Sequence, residues 1–368
     1  MANFIVLVDM KKINSTSIFV SVAAIITLIA FSCKKESKTK VEDNFQKSTL
    51  MENVANNIIL IEYNLLNEKL GEFETAYQNF IGDQNQTNFD LTKTTWISAY
   101  KQWEKSLMFE FGPAMSEVLK SSLGTFPTDS ATIVNNITSG TYNLDAVSNF
   151  KAQGLPAFDF LLHRTNAISF FSNNAYAQYG TDLITKMRAH LNTVISQWNG
   201  DYATTFKSST GTETTSAFSQ FVNQFCKSYE ELKWTKIGIP IGNQIGSPQP
   251  DYIETKYAKQ AFPLMIENMK ALHRLFKGDK GTGESGVGFD DYLIALERQD
   301  LVDQINSSFS SIIIDMEAFQ NDFATELNNN PAALQALFNK IQALTVYVKT
   351  DMTSAFAVLI SYQDNDGD

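Results

Sequence analysis

The sequence predicts an all-α fold of two packed antiparallel helical bundles with no substantial sheet. Three observations carry that prediction. Apolar residues recur at helical spacing, as in Val54, Ile58, Ile61 and Leu65, and again in Leu334, Leu337, Ile341, Leu344 and Val348. Alternating strand patterns are scarce. The best of them, KIGIPIG (Lys236–Gly242), carries Pro240 and flanking glycines that make it an extended loop. The breaks between helical segments are short and polar, which favours antiparallel neighbours, with four helices needed to close each core.

The elements follow in chain order. The stretch MKKINSTSIFVSVAAIITLIAFSCKKES opens with two lysines and continues into an apolar run, Ile18–Phe31, of 14 residues. A membrane-spanning helix needs about 20, so residues 1–32 are read as a signal peptide. Ala30-Phe31-Ser32-Cys33 resembles the lipobox of bacterial lipoproteins, which makes Cys33 the lipidated first mature residue and the membrane the anchor's partner. The nine residues before Met10 lack a basic start and include Asp9, so initiation at Met10 fits equally well. Residues 33–44 are charged and lack an apolar period, as a tether would. A first bundle is expected over 45–210 and a second over 211–368, divided at the polar joint KSSTGTET (Lys207–Thr214). Further long helices are expected at Leu91–Phe111, Asn173–Gln197, Glu213–Thr235, Ile253–Phe276 and Phe289–Glu326. The last long stripe starts behind Pro331, whose missing N–H costs nothing in a first helical turn.

Composition excludes several functions. A net charge of −11 repels nucleic acid and anionic lipid, and no basic patch offsets it. Cys33 and Cys226 are the two cysteines, and with Cys33 lipidated no intramolecular disulfide can form. Cys226, set among aromatics, reads as a small buried hydrophobe. The 27 Phe and 13 Tyr read as bundle core. The Gly-rich GDKGTGESGVG (Gly278–Gly288) lacks the GK[ST] ending of a phosphate loop and reads as a flexible connection. The terminal DNDGD opens like a calcium loop, but the ligand set needs twelve residues ending in glutamate. With three histidines, His163, His190 and His273, and no H-E-x-x-H, hydrolytic chemistry has little material.

The stretch KAQGLPAFDFLLHRTN concentrates the remaining signal. Gly154-Leu155-Pro156-Ala157-Phe158-Asp159 has the spacing of the G-x-H-x-x-E motif of the imelysin family of bacterial envelope proteins, and it is followed by a similar apolar tail. TWISAYKQWEKSLMFEFGP resembles that family's Trp-containing helix, and FPTD (Phe126–Asp129) its aromatic-Pro-x-Asp step. KIGIPIG and PDYIETKYAKQAF, with Glu254 and Tyr257, resemble the opening of its second half. The resemblance implies two helical bundles with the motif near their junction, an envelope location, and a link to iron acquisition, with iron or haem as the ligand and an iron-uptake receptor or envelope protein as partner. It also implies the rival reading, a metallopeptidase; a structural or adhesion lipoprotein is the third.

Here Pro156 stands at the motif's histidine position and Asp159 at its glutamate. Proline ligates no metal, but it suits a first helical turn after Gly154. A catalytic zinc needs three protein ligands and an open position. Asp159 and His163, four residues apart, could share a helix face, and would need completion from Asp129, Glu104, Glu110 or Glu254. The favoured expectation places Asp159 in a polar pocket at the junction with Asp129, Glu254 or Tyr257, near enough to its helix N-terminus to feel the dipole. Gly154, Pro156, Asp159, His163, Asp129, Glu254 and Tyr257 are therefore the candidate ligand-binding residues. His163-Arg164 is expected to end the helix.

Overall fold

The computed structural model describes residues 43–281 and 284–362. The leader, Cys33, the tether up to residue 42 and the terminal DNDGD lie outside the described residues. Every regular element among the described residues is helical.

Helix α1 (Lys47–Val54) runs through a wide π turn (Ala55–Ile59) into α2 (Leu60–Gly82). The chain reverses at Asp83–Asn85, where the Asn85 side chain accepts the Asn88 N–H at 2.9 Å and caps α3 (Gln86–Ser106). The stripe Phe89, Trp96, Tyr100 and Trp103 is buried against α2, and Thr92 donates to the Ala76 carbonyl at 3.1 Å across the pair. Two short helices, α4 (Pro113–Ser116) and α5 (Leu119–Leu123), and the capped α6 (Ser130–Ser139) lead to α7 (Gly154–His163), which carries the motif. After α8 (Ala167–Phe170), the long α9 (Asn174–Gln197) packs on α2, where Gly180 admits the Tyr77 ring and Tyr77 donates to Ala177 O at 3.0 Å.

A π turn at Trp198–Tyr202 leads to α10 (Ala203–Ser208), whose end holds the first two residues of the predicted polar joint, and the rest of the joint falls in the non-helical connection to α11 (Ala217–Glu231). The buried apolar cluster continues across that joint, with Phe111 and Phe206 stacked at 5.6 Å and both touching Phe221. Helix α11 passes into a third π turn (Leu232–Gly238), so Lys236 sits in a helical turn where an extended loop was expected. Ile237, fully buried, holds it there. Helix α12 (Ala261–Phe276) packs against α3 on one side and α14 (Gln299–Ala318) on the other. The expected helix over Phe289–Glu326 is three: α13 (Phe289–Ala295), α14, and α15 (Phe323–Asn329). Glu297 at φ 59° and the Asp322 cap on Thr325 make the breaks. Helix α16 (Pro331–Thr345) does begin at Pro331, and continues through a π turn (Val346–Met352) into α17 (Thr353–Ala355). No helix among the described residues is long and apolar enough to cross a membrane.

Candidate functional site

Periodicity puts a charge inside. Trp96, Tyr100 and Glu104 are four residues apart, so the buried stripe of α3 ends on a carboxylate, and Glu104 is fully buried. Burying an ion alone is prohibitively costly, and the fold brings it a partner. Lys236, from the π turn, places Nζ 2.8 Å from Glu104 Oε1 and 2.5 Å from Glu254 Oε2. Tyr100 donates to Glu254 Oε1 at 2.9 Å, and Asn268 on α12 donates to the Glu104 carbonyl at 2.9 Å. The Phe126 ring lies 5.2 Å from the ammonium, adding a cation–π contact. Glu104 Oε2 is buried and has no hydrogen-bond partner among the described residues.

The motif helix stands beside this cluster. Gly154 (φ +75°) turns the chain into α7, and Pro156 follows in its first turn. Trp96 Nε1 donates to Leu155 O at 3.0 Å and Thr128 Oγ1 to Pro156 O at 2.9 Å, which ties α3 and the Phe126–Asp129 step to α7. Asp159 is buried and accepts the backbone N–H of Ala258 at 2.7 Å and of Tyr257 at 3.2 Å. It lies past the first turn, so the amides of a distant loop, rather than its own helix N-terminus, stabilise its charge.

The candidate residues thus divide. Asp159, Glu254 and Tyr257 come together, Tyr257 through its backbone. Asp129 does not join them: exposed, it caps α6 by accepting the Thr132 N–H at 3.0 Å and its hydroxyl at 2.7 Å. His163 ends α7 as expected, but its ring lies against Trp96 at 4.6 Å, and burial pushes its pKa down to about 4. The cation at that helix end is therefore Arg164, whose guanidinium stacks on Phe160 and Phe170. Among the described residues no three His, Cys, Asp or Glu side chains are placed to hold one metal ion. Glu110 stands apart, half-buried, and accepts the Lys120 amide at 3.4 Å. The sequence reading passed over Lys236 and Tyr100, although a lone lysine in the apolar run WTKIGIP and the four-residue spacing of Trp96, Tyr100 and Glu104 were visible signals.

Electrostatics follow from burial. Burial alone lowers the Lys236 pKa, but Glu104 and Glu254 more than reverse this and keep the ammonium charged. With two carboxylates on one ammonium, burial and Glu254 push Glu104 up to about 8, against the pull of Lys236. Burial raises Asp159 to about 7 despite its two amide donors, and Glu110 to about 7. Each of these groups keeps its proton in the folded chain at pH values where the unfolded chain has lost it. Stability therefore falls as pH rises from about 4.5 to 8, by ~1.4 kcal/mol per pH unit for each retained proton. His163 acts oppositely, costing stability as pH falls from 6.5 toward 4. Urea midpoints measured from pH 5.5 to 8 should decline, and Glu104→Gln should flatten the curve. A midpoint that rises with pH over that window would contradict these assignments.

Comparison with known proteins agrees with this architecture. The crystal structure of an iron-regulated protein A precursor from Parabacteroides distasonis ATCC 8503 superposes with a TM-score of 0.74 at 17% identity, covering 87% of this chain and 97% of that one. An imelysin-like protein from Psychrobacter arcticum 273-4 superposes with a TM-score of 0.72 at 14% identity, covering 86% and 97%. A search of curated proteins finds no match to this chain. The family model described as Imelysin, peptidase family M75, matches residues 59–348. That match spans the stripe of α3, the motif helix and the Lys236 turn, and this chain belongs to the imelysin family.

Proposed function

We propose that this chain is an imelysin-type lipoprotein of the cell envelope that binds a ligand of the iron supply, and that its motif performs no metal-dependent hydrolysis. One observation carries the second half: the Lys236 ammonium lies between Glu104 and Glu254, at 2.8 and 2.5 Å, and so takes up the buried carboxylates beside the motif helix. A hydrolytic zinc requires protein ligands around it and an open coordination position for water. Here an internal cation takes up Glu104 and Glu254, and Pro156 stands where the motif has its imidazole. The residues present do not fit a catalytic metal.

The iron link rests on the family and on the Parabacteroides structure, that of an iron-regulated protein A precursor. Because no three ligating side chains among the described residues converge, the ligand that fits is iron already coordinated, as haem or a chelate, rather than a bare ion. An iron-uptake receptor of the envelope is the corresponding protein partner. Titrating the purified protein with haem, ferric citrate and zinc, alongside elemental analysis, tests this. Saturable binding of haem or the chelate, without stoichiometric zinc, is expected. Chelator-sensitive cleavage of a protein substrate that disappears in Asp159→Ala would instead establish the peptidase.

The anchor has its own test. Cys33→Ala should release the protein from membranes or trap its precursor. Unchanged membrane association with the normal mature mass would refute lipidation.

A further inference from the structure

A cavity that the motif does not account for lies far along the chain from it. A cavity of about 640 Å³ opens between the end of α14, the start of α15 and the first turns of α16. That volume is within the range of small-molecule sites. Its lining divides by chemistry. Ala318, Ala336 and Leu337 supply an apolar strip, and Phe319 supplies a ring. Asp315 and Glu326 supply carboxylates. No basic side chain is among the described lining residues.

The ring is held. Phe319 stacks on buried Phe262, with centroids 4.6 Å apart and planes 11° from parallel, so one face is committed to the core and the other is left for the cavity. Glu326 is also held, since Asn321 Nδ2 donates to its Oε1 at 2.8 Å. The 20-residue α14 ends at Ala318, so the negative end of its dipole adds to the two carboxylates. Asp315 pairs with Lys340, but both side chains are substantially exposed, and such a surface pair is weak enough for another cation to replace.

From this the geometry points to a second binding site, one for a small aliphatic amine: its ammonium groups meet Asp315, Glu326 and the free face of Phe319, and its methylenes lie along Ala318, Ala336 and Leu337. A π face flanked by carboxylates attracts ammonium ions by cation–π and charge terms together. An anion meets only repulsion there, and a neutral sugar forgoes the charge term.

Calorimetric titration of the full-length protein with spermidine tests the assignment, with glucose and citrate as neutral and anionic probes. Spermidine should saturate one site and weaken as salt rises. Asp315→Asn and Glu326→Gln, which keep size and hydrogen bonding, should each raise Kd at least tenfold. Lys340→Ala removes the competing cation and should lower Kd severalfold. Asp145→Asn, at the separate cavity near Tyr142 and Lys186, should leave binding unchanged. Several results would overturn the proposal: no saturable spermidine binding, equal binding of glucose, equal weakening by Asp145→Asn, or a Kd unmoved by the Asp315, Glu326 and Lys340 substitutions. The last two would mean that an acidic surface merely collects counterions.

Discussion

Lys236→Met should destabilise the folded chain by about 3–5 kcal/mol at pH 7, the cost of leaving buried carboxylates without their counter-charge. Methionine fills nearly the same volume, so packing loss contributes little. What remains is two buried acids, Glu104 and Glu254, with no cation between them, and Glu104 keeps its proton at pH 7. The deficit should grow as pH rises from 7 to 9, because the ammonium that draws off the Glu104 proton near pH 8 is gone in the variant. Adding Glu104→Gln should also recover part of the loss at pH 7. Urea denaturation of wild type, single and double variants at both pH values measures all of this. A loss under about 1 kcal/mol, or one independent of pH, would show that Lys236 is not the charge that closes the cluster.

Gly154→Ala should cost about 3 kcal/mol, combining strain at positive φ with a backbone collision. A Cβ on Gly154 would stand 2.5 Å from the Leu123 carbonyl oxygen and 2.9 Å from that of Ser122, and both are backbone atoms that cannot swing away. Gly140 provides the comparison. It too has positive φ, at 65°, but nothing lies within 4 Å of its would-be Cβ. Gly140→Ala should therefore cost only about 1 kcal/mol, the conformational part alone. Equal losses in the two variants would mean that the close approach of α5 to the entry of α7 does not matter.

The motif substitution gains its meaning from these neighbours. Pro156 at the histidine position and Asp159 at the glutamate position remove one metal ligand and shorten another. Meanwhile the adjacent carboxylates hold a lysine, and Asp159 holds two loop amides. Each acid near the motif is thus engaged by a partner from the chain itself. That pattern serves to join α3, α7 and the segments around Lys236 and Glu254.

By itself the sequence determined the helical class and many of the breaks. These depend on contacts a few residues apart, which the local sequence makes readable: Pro331 opening α16, Gly154 turning into α7. The same repeat placed Glu104 on the stripe of Trp96 and Tyr100, and so implied a buried charge. Only the tertiary structure decided what neutralises it. Lys236 is 132 residues from Glu104, and the Asp159 amide donors are 98 and 99 residues away. Asp129, close in sequence to the motif's neighbours, turned out to cap its own helix. Local geometry decides whether a side chain faces inward, but its partner is decided by which distant elements close over it, and that depends on the packing of the whole core.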